Sequence, residues 1–142
     1  MSSHPWRPAE IQQSCIPYVV LPGDAADFIQ LLKDAFGATE KLRYPRADGT
    51  LMHCEMLIDD TSFMLADATP DMQVYPFRHY LYVPDVDATY AQALAAGCVS
   101  SSVPTDQPYG DRIAGVTDQW GNLWWIGTHK QELASTEPAA AE

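Results

Sequence analysis

An extended run, Ile16–Leu21, is broken by Pro22-Gly23-Asp24 and followed by apolar residues at Ala25, Phe28, Ile29, Leu32 and Phe36. That spacing predicts one buried face of an α-helix. Asp24, with Asp27 three residues on, reads as its N-cap, and Gly37 as the glycine that stops it. A strand near Thr39–Tyr44 follows, then a turn at Ala47-Asp48-Gly49. A hairpin comes next: Leu51–Ile58, the turn Asp59-Asp60, and Thr61–Ala66. The same order then recurs. His79–Val83 alternates like a strand, Pro84-Asp85 breaks it, a helix covers Val86–Ala96, and Gly97 stops it. A short strand, Cys98–Val103, and a loop, Pro104–Gly110, lead to a last hairpin. That hairpin comprises Arg112–Thr117, the turn Asp118-Gln119-Trp120-Gly121, and Asn122–Thr128. Asp24 matches Asp85 and Gly37 falls near Gly97, an offset of about 61 residues. Each half is β-α-β-β-β, with slight identity between halves, so the repeat is one of pattern. The expected architecture is α+β: modules at 16–67 and 78–129, a linker at 68–77, an N-terminal arm at 1–15 and a C-terminal tail at 130–142.

A chain of 142 residues fits one domain or two joined half-size modules, and its 46% hydrophobic content suffices for a core. The formal charge of −11 repels phosphate backbones and anionic membrane surfaces, so nucleic-acid and membrane partners are not expected. No apolar run approaches the roughly 20 residues that span a bilayer. Met1–Pro8 lacks the apolar centre of a signal peptide, so a cytoplasmic location is expected. Cys15, Cys54 and Cys98 are odd in number and form no CxxC pair, which argues for buried reduced thiols over a cysteine-based zinc site.

Several strings carry a family resemblance. Tyr-Val-Pro-Asp-Val-Asp-Ala (82–88) stands with Ala-Ala-Gly (95–97) and with the long string 109–126, YGDRIAGVTDQWGNLWWI. With the paired modules, these resemble the vicinal oxygen chelate superfamily, which includes glyoxalase I, extradiol dioxygenases and bleomycin-resistance proteins. Met-His-Cys-Glu-Met-Leu-Ile-Asp-Asp (52–60) and Phe-Met-Leu-Ala-Asp (63–67) resemble its PhnB-like branch. The resemblance covers residues 16–129. It implies that each module curls its sheet into half a cup, that cups are often completed in a homodimer, and that metal-using members place ligands on the first and last strands of each module. Here those positions fall on Pro17, Met64, Arg78 and Trp125, none a usual ligand for a catalytic divalent metal.

Alternation puts Leu81 and Val83 on the helix side and leaves Arg78, Tyr80 and Tyr82 to the cup; the shifted register would instead put His79 there, beside Tyr18 and Trp124. A two-residue turn at Asp59-Asp60 pairs Ile58 with Thr61 and Glu55 with Met64. If Met64 faces the cup, so do Glu55 and Ser62, and by alternation His53 and Leu57. A four-residue turn in the second hairpin pairs Ala114 with Trp125 and Arg112 with Gly127, bringing Arg112 to the cup rim. His53 and Glu55 read as a general acid/base pair, as part of a metal site, or as a satisfied polar pair or a rim salt bridge from Glu55 to Arg78. Tyr80, Tyr82 and Trp125 read as aromatic ligand walls, with Tyr18 and Tyr109 nearby, or as core or subunit-interface residues. Trp124 reads as core, His79 as structural, His129 as an exposed strand end, and Asp111-Arg112 as a loop lock. The leading expectation is a homodimer that binds a small organic ligand without a cofactor, through Met64, Arg78, Tyr80, Tyr82, Arg112 and Trp125, with Glu55 available to a cationic group. The alternative is a lyase, isomerase or dioxygenase that uses His53 and Glu55, with a divalent metal or as an acid/base pair.

Overall fold

Both halves of the repeat fold as the pattern requires. The computed structural model describes residues 3–130, so the expected tail lies outside the described residues except for Lys130. The chain divides into two units, at Tyr75 and Pro76. The first contains β1 (Tyr18–Leu21), α1 (Ala25–Phe36), β2 (Thr39–Pro45), β3 (Leu51–Ile58) and β4 (Thr61–Asp67). The second contains β5 (Arg78–Tyr82), α2 (Val86–Ala95), β6 (Val99–Asp106), β7 (Asp111–Thr117) and β8 (Leu123–His129). The sheets are ordered β1-β4-β3-β2 and β5-β8-β7-β6. In each, the first strand pairs parallel with the last and the other pairs are antiparallel, so both are mixed. The α+β expectation of two βαβββ modules is met. Among the described residues no helix is long and apolar enough to cross a membrane.

In the first unit α1 buries Phe28, Ile29, Leu31 and Leu32 against the sheet face that carries Cys54, Met56, Phe63 and Leu65, all at most 4% exposed. Burial of each large apolar side chain favours the fold by about 1.5–3 kcal/mol. Gly37 ends α1 in the left-handed region at φ 67°, where a Cβ would be strained. The start of α1 differs from expectation. Asp24 stands at the N-cap position, but its side chain makes no capping hydrogen bond. The N–H of Ala25 donates instead to Oδ1 of Asp67 at 2.8 Å, and Leu51 N–H donates to Oδ2 at 2.8 Å. Asp67 is 2% exposed and ties the helix start to the end of β4 and the start of β3. The first hairpin has the expected pairs, Ile58 with Thr61 and Glu55 with Met64. Asp59 adopts φ 50° in its two-residue turn, a conformation that aspartate tolerates. The N-terminal arm is irregular yet anchored: Ile11 is 4% exposed, and Gln13 Nε2 donates to the Ser62 carbonyl at 2.9 Å.

In the second unit Asp85 caps α2 by accepting from Ala88 N–H. Ala114, Val116, Trp124 and Ile126 are fully buried on the face that α2 covers. Strand β6 continues through Pro104 to Asp106, where a loop had been expected. It is an edge strand whose register shifts between Ser102 and Thr105, a place where proline removes no ladder bond. The second hairpin corrects its expected register. Thr117 pairs with Leu123, so the connection is Asp118–Asn122, five residues and not four. Its fifth residue turns inward: Asp118 Oδ1 accepts from the N–H groups of Trp120 and Asn122, and Oδ2 accepts from Asn122 Nδ2 and Trp124 Nε1, all at 3.0 Å. Asn122 Oδ1 in turn accepts from Phe77 N–H at 2.9 Å. Ala114 therefore pairs with Ile126, and Arg112 with Thr128.

Candidate functional site

A strand buries alternate side chains, so the residues opposite the helix-covered face form an open face on each sheet. In the first unit that face carries Tyr18, His53, Glu55, Ser62 and Met64. His53 Nε2 and Glu55 Oε2 are 2.9 Å apart, as two same-face neighbours on β3 should be, and both are part-buried. The Tyr18 ring stands 6.3 Å from the His53 ring. Tyr18, and not Pro17, is the partner of Met64 across the β1–β4 ladder, so Pro17 leaves the set of facing positions. The Pro17 carbonyl accepts from Met64 N–H instead. A small depression of about 270 Å³ lies beside this face, lined in part by Glu10 and Ile11 of the arm and by Glu55, Leu57 and Ser62.

The open face of the second unit is aromatic. Tyr80 pairs with Trp125, and Tyr82 with Gly127, across β5 and β8, which places Arg78, Tyr80, Tyr82 and Trp125 on one side as expected. His79 falls on the other side, with its ring 4.0 Å from Phe77 and 5.5 Å from Trp124. Two glycines allow the aromatic rings to sit close over the sheet backbone. A Cβ at Gly115 would come within 2.9 Å of the Trp125 ring, and one at Gly127 within 2.9 Å of the Tyr80 ring. Each ring therefore rests on bare backbone, still partly exposed above.

Arg112 is corrected. The one-residue change of register turns it to the helix side, where it contacts Asp87 of α2 (Nε–Oδ2 3.1 Å, Nη2–Oδ1 3.2 Å) and Asp106 (3.3 Å). The same change brings Asp111 onto the aromatic face, opposite His129. Asp111, 3% exposed, accepts from the Tyr80 hydroxyl at 2.5 Å and the Tyr82 hydroxyl at 2.8 Å on Oδ2, and contacts His129 Nδ1 at 2.7 Å through Oδ1. Burial pushes this carboxyl up, but the hydrogen bonds from Tyr80, His129 and Tyr82 outweigh it and hold the group below the usual carboxylate range. Burial, and then the bond to Asp111, raise Tyr80 far above the ordinary phenol value. Tyr80, Tyr82, Tyr109, Asp111 and His129 line an open basin of about 440 Å³. Asp111 had read as a loop lock and His129 as an exposed strand end. The correct turn length in the second hairpin is the signal that would have placed them together.

The donor set bears on a metal. Met64 offers a thioether, Arg78 a cation, Trp125 only an N–H donor, and Tyr18 a phenol. Among the described residues no three His, Cys, Asp or Glu side chains are placed to hold one ion. These residues do not fit the divalent metal of the metal-using relatives.

Two mixed four-stranded sheets of βαβββ connectivity, each with one helix-covered and one open face, define a glyoxalase-fold protein. Residues 16–126 match the Glyoxalase/Bleomycin resistance protein/Dioxygenase superfamily, and the chain belongs to it. An uncharacterized protein of Mycobacterium bovis is 33% identical across 92% of this chain and 93% of its own length. A PhnB protein of Bacillus cereus superposes with a TM-score of 0.67 at 14% identity, covering 82% of this chain and 99% of its own. TnmS3, an antibiotic binding protein from Streptomyces sp. CB03234, superposes with a TM-score of 0.64 at 24% identity, covering 83% and 98%. The two structures show the shared fold.

Proposed function

We propose that this protein binds a small organic molecule bearing a planar ring, on the open face of its second unit, without a catalytic divalent metal. The observation that carries the reading is the pair of rings seated on glycines. Trp125 over Gly115 and Tyr80 over Gly127 form an exposed aromatic floor that needs little ordering when a ligand arrives. Tyr80 lines, with Tyr82, Tyr109, Asp111 and His129, a basin of about 440 Å³, within the range of small-molecule sites, and Trp125 flanks Tyr80 across the β5–β8 ladder. Met64 and Arg78 stand on the open faces of their own units, outside the lining of this basin. TnmS3 has the same fold and is an antibiotic binder, which is consistent with this reading at the level of fold. A homodimer in the cytoplasm is part of the proposal, and light scattering of the purified protein tests the dimer.

A thermal-shift and calorimetric screen of planar aromatic compounds tests binding. Stabilisation that disappears in Trp125→Ala is expected, and a panel that gives no shift refutes it. Metal independence is tested by metal analysis and by titration with nickel, zinc, manganese and iron(II). Stoichiometric tight metal that is lost in Glu55→Ala would overturn it. One observation favours a second reading. The 2.9 Å contact between His53 and Glu55 is the geometry of a carboxylate-oriented general base, so acid/base lyase or isomerase chemistry on the first unit is the alternative. Turnover abolished by His53→Ala would favour it.

A further inference from the structure

The polar groups of the second-unit basin all point their protons the same way. A phenol has one O–H to donate. Tyr80 and Tyr82 both donate theirs to Asp111 Oδ2. Tyr80 is also hydrogen-bonded to the Tyr109 hydroxyl. Because the Tyr80 proton lies on Asp111, Tyr80 accepts in that contact and Tyr109 is the donor. His129 approaches Oδ1 through Nδ1, and an ionised carboxylate can only accept, so Nδ1 carries the proton there. Four donors are thus directed inward, at Asp111 or at a phenol that itself donates to Asp111.

Two consequences follow. First, the tyrosine hydroxyls have only lone pairs left to offer a ligand. Each donates to an anion or to a hydroxyl polarised by one, which strengthens its oxygen as an acceptor. Second, the phenols bring Asp111 no formal positive charge, and the one lining group that can is His129, whose Nδ1 lies 2.7 Å from Oδ1; whenever that imidazole is neutral, the carboxylate's charge is felt through the tyrosine oxygens. Arg78 shares the face two residues down β5 from Tyr80, about 7 Å along the strand, and does not line the basin. Arg112 and Lys130 do not line it either. The formal charge of −11 on the whole chain adds a field of the same sign.

We propose that this basin selects ring-bearing ligands that present hydrogen-bond donors on a cationic nitrogen, such as aryl amines of the benzylic type or amidines, and turns away carboxylates and phosphates. The inference rests on the reading of the second-unit face as a ligand site, and it names the chemistry of that ligand. The rings of Tyr80 and Tyr82, with centroids 5.1 Å apart, give the cation π-faces as well as acceptors.

Three probes with one ring system test it: naphthylmethylamine, naphthylmethanol and naphthoate, titrated calorimetrically into the full chain at neutral pH. The amine should bind about tenfold more tightly than the alcohol, the increment of one partly exposed charge contact with cation–π help, and naphthoate should bind least. Asp111→Asn should abolish the preference of amine over alcohol. Tyr82→Phe, which keeps the ring and removes one acceptor oxygen, should narrow it. Equal affinity for amine and alcohol, a preference for naphthoate, or an amine preference that survives in folded Asp111→Asn overturns the inference and leaves ring binding standing. If Asp111→Asn does not fold, an undiminished preference in Tyr82→Phe overturns it. If none of the three probes binds, the proposed function fails together with this inference.

Discussion

Replacement of Asp118 by alanine should be among the most damaging substitutions in the second unit, and the structure says by how much. The side chain is 5% exposed and accepts four N–H groups, two on each oxygen. Three of the donors, the Asn122 backbone N–H and Nδ2 and the Trp124 indole, belong to residues that are 2% and 0% exposed, so water cannot replace the lost acceptor. A stranded buried donor costs about 1–3 kcal/mol. Only the fourth, the Trp120 N–H, can recover part of its loss from solvent. The expected total is about 3–5 kcal/mol, a large share of the roughly 5–15 kcal/mol that holds a domain together. Urea unfolding followed by far-UV circular dichroism measures it, with a fall in midpoint of at least about 1 M expected at ordinary slopes. Asp118→Asn sharpens the test. The amide keeps the shape but supplies one acceptor oxygen, so its nitrogen must confront either the two backbone donors or the side-chain pair. At least half of the alanine penalty should remain. A stable Asp118→Asn protein would refute the claim that acceptor count, and not shape, sets this turn.

Three further outcomes follow from the structure. Gly127→Ala puts a methyl group 2.9 Å from the Tyr80 ring and 3.0 Å from its hydroxyl; it should cost about 1–3 kcal/mol in thermal unfolding and weaken ring binding, whereas an unchanged affinity would show that the ring does not need its seat on the glycine. Burial pushes the Cys54 and Cys98 thiols up to about 11, and Cys15 is exposed, so native protein should take up one equivalent of iodoacetamide quickly and the other two only in denaturant, as read by mass spectrometry. The lowered Asp111 carboxyl contributes stability that is present above its unfolded value, near pH 4, and lost as the pH falls through its folded value. Acidification below about pH 4 should therefore destabilise the wild type more steeply than Asp111→Asn, and parallel acid limbs would contradict the assignment.

The sequence by itself determined the element order, the doubling, and the first open face. The apolar spacing of Ala25–Phe36, the stop at Gly37 and the two-residue turn at Asp59-Asp60 are local signals, and Glu55 fell opposite Met64 as the turn dictates. Alternation in Arg78–Tyr82 was enough to put Tyr80 and Tyr82 opposite His79. The strands β7 and β8 gave no such guide. Their runs, Ile113-Ala114-Gly115-Val116 and Leu123-Trp124-Trp125-Ile126, are apolar on both faces, because one face is core and the other an aromatic floor. With no alternation, register depended on the turn, and the turn depends on Asp118 reaching in to Trp124. That side-chain bond closes a five-residue loop and moves every pair by one. Only the tertiary structure therefore sent Arg112 to Asp87 and gathered Asp111, His129, Tyr80 and Tyr82 on one face. The helix start follows the same rule. Asp24 has the right residue type in the right place, yet Asp67, 42 residues on, receives the Ala25 N–H. Periodicity reports which face of a strand or helix is buried; it does not report which buried carboxylate meets which donor, and in this protein those meetings set the candidate site.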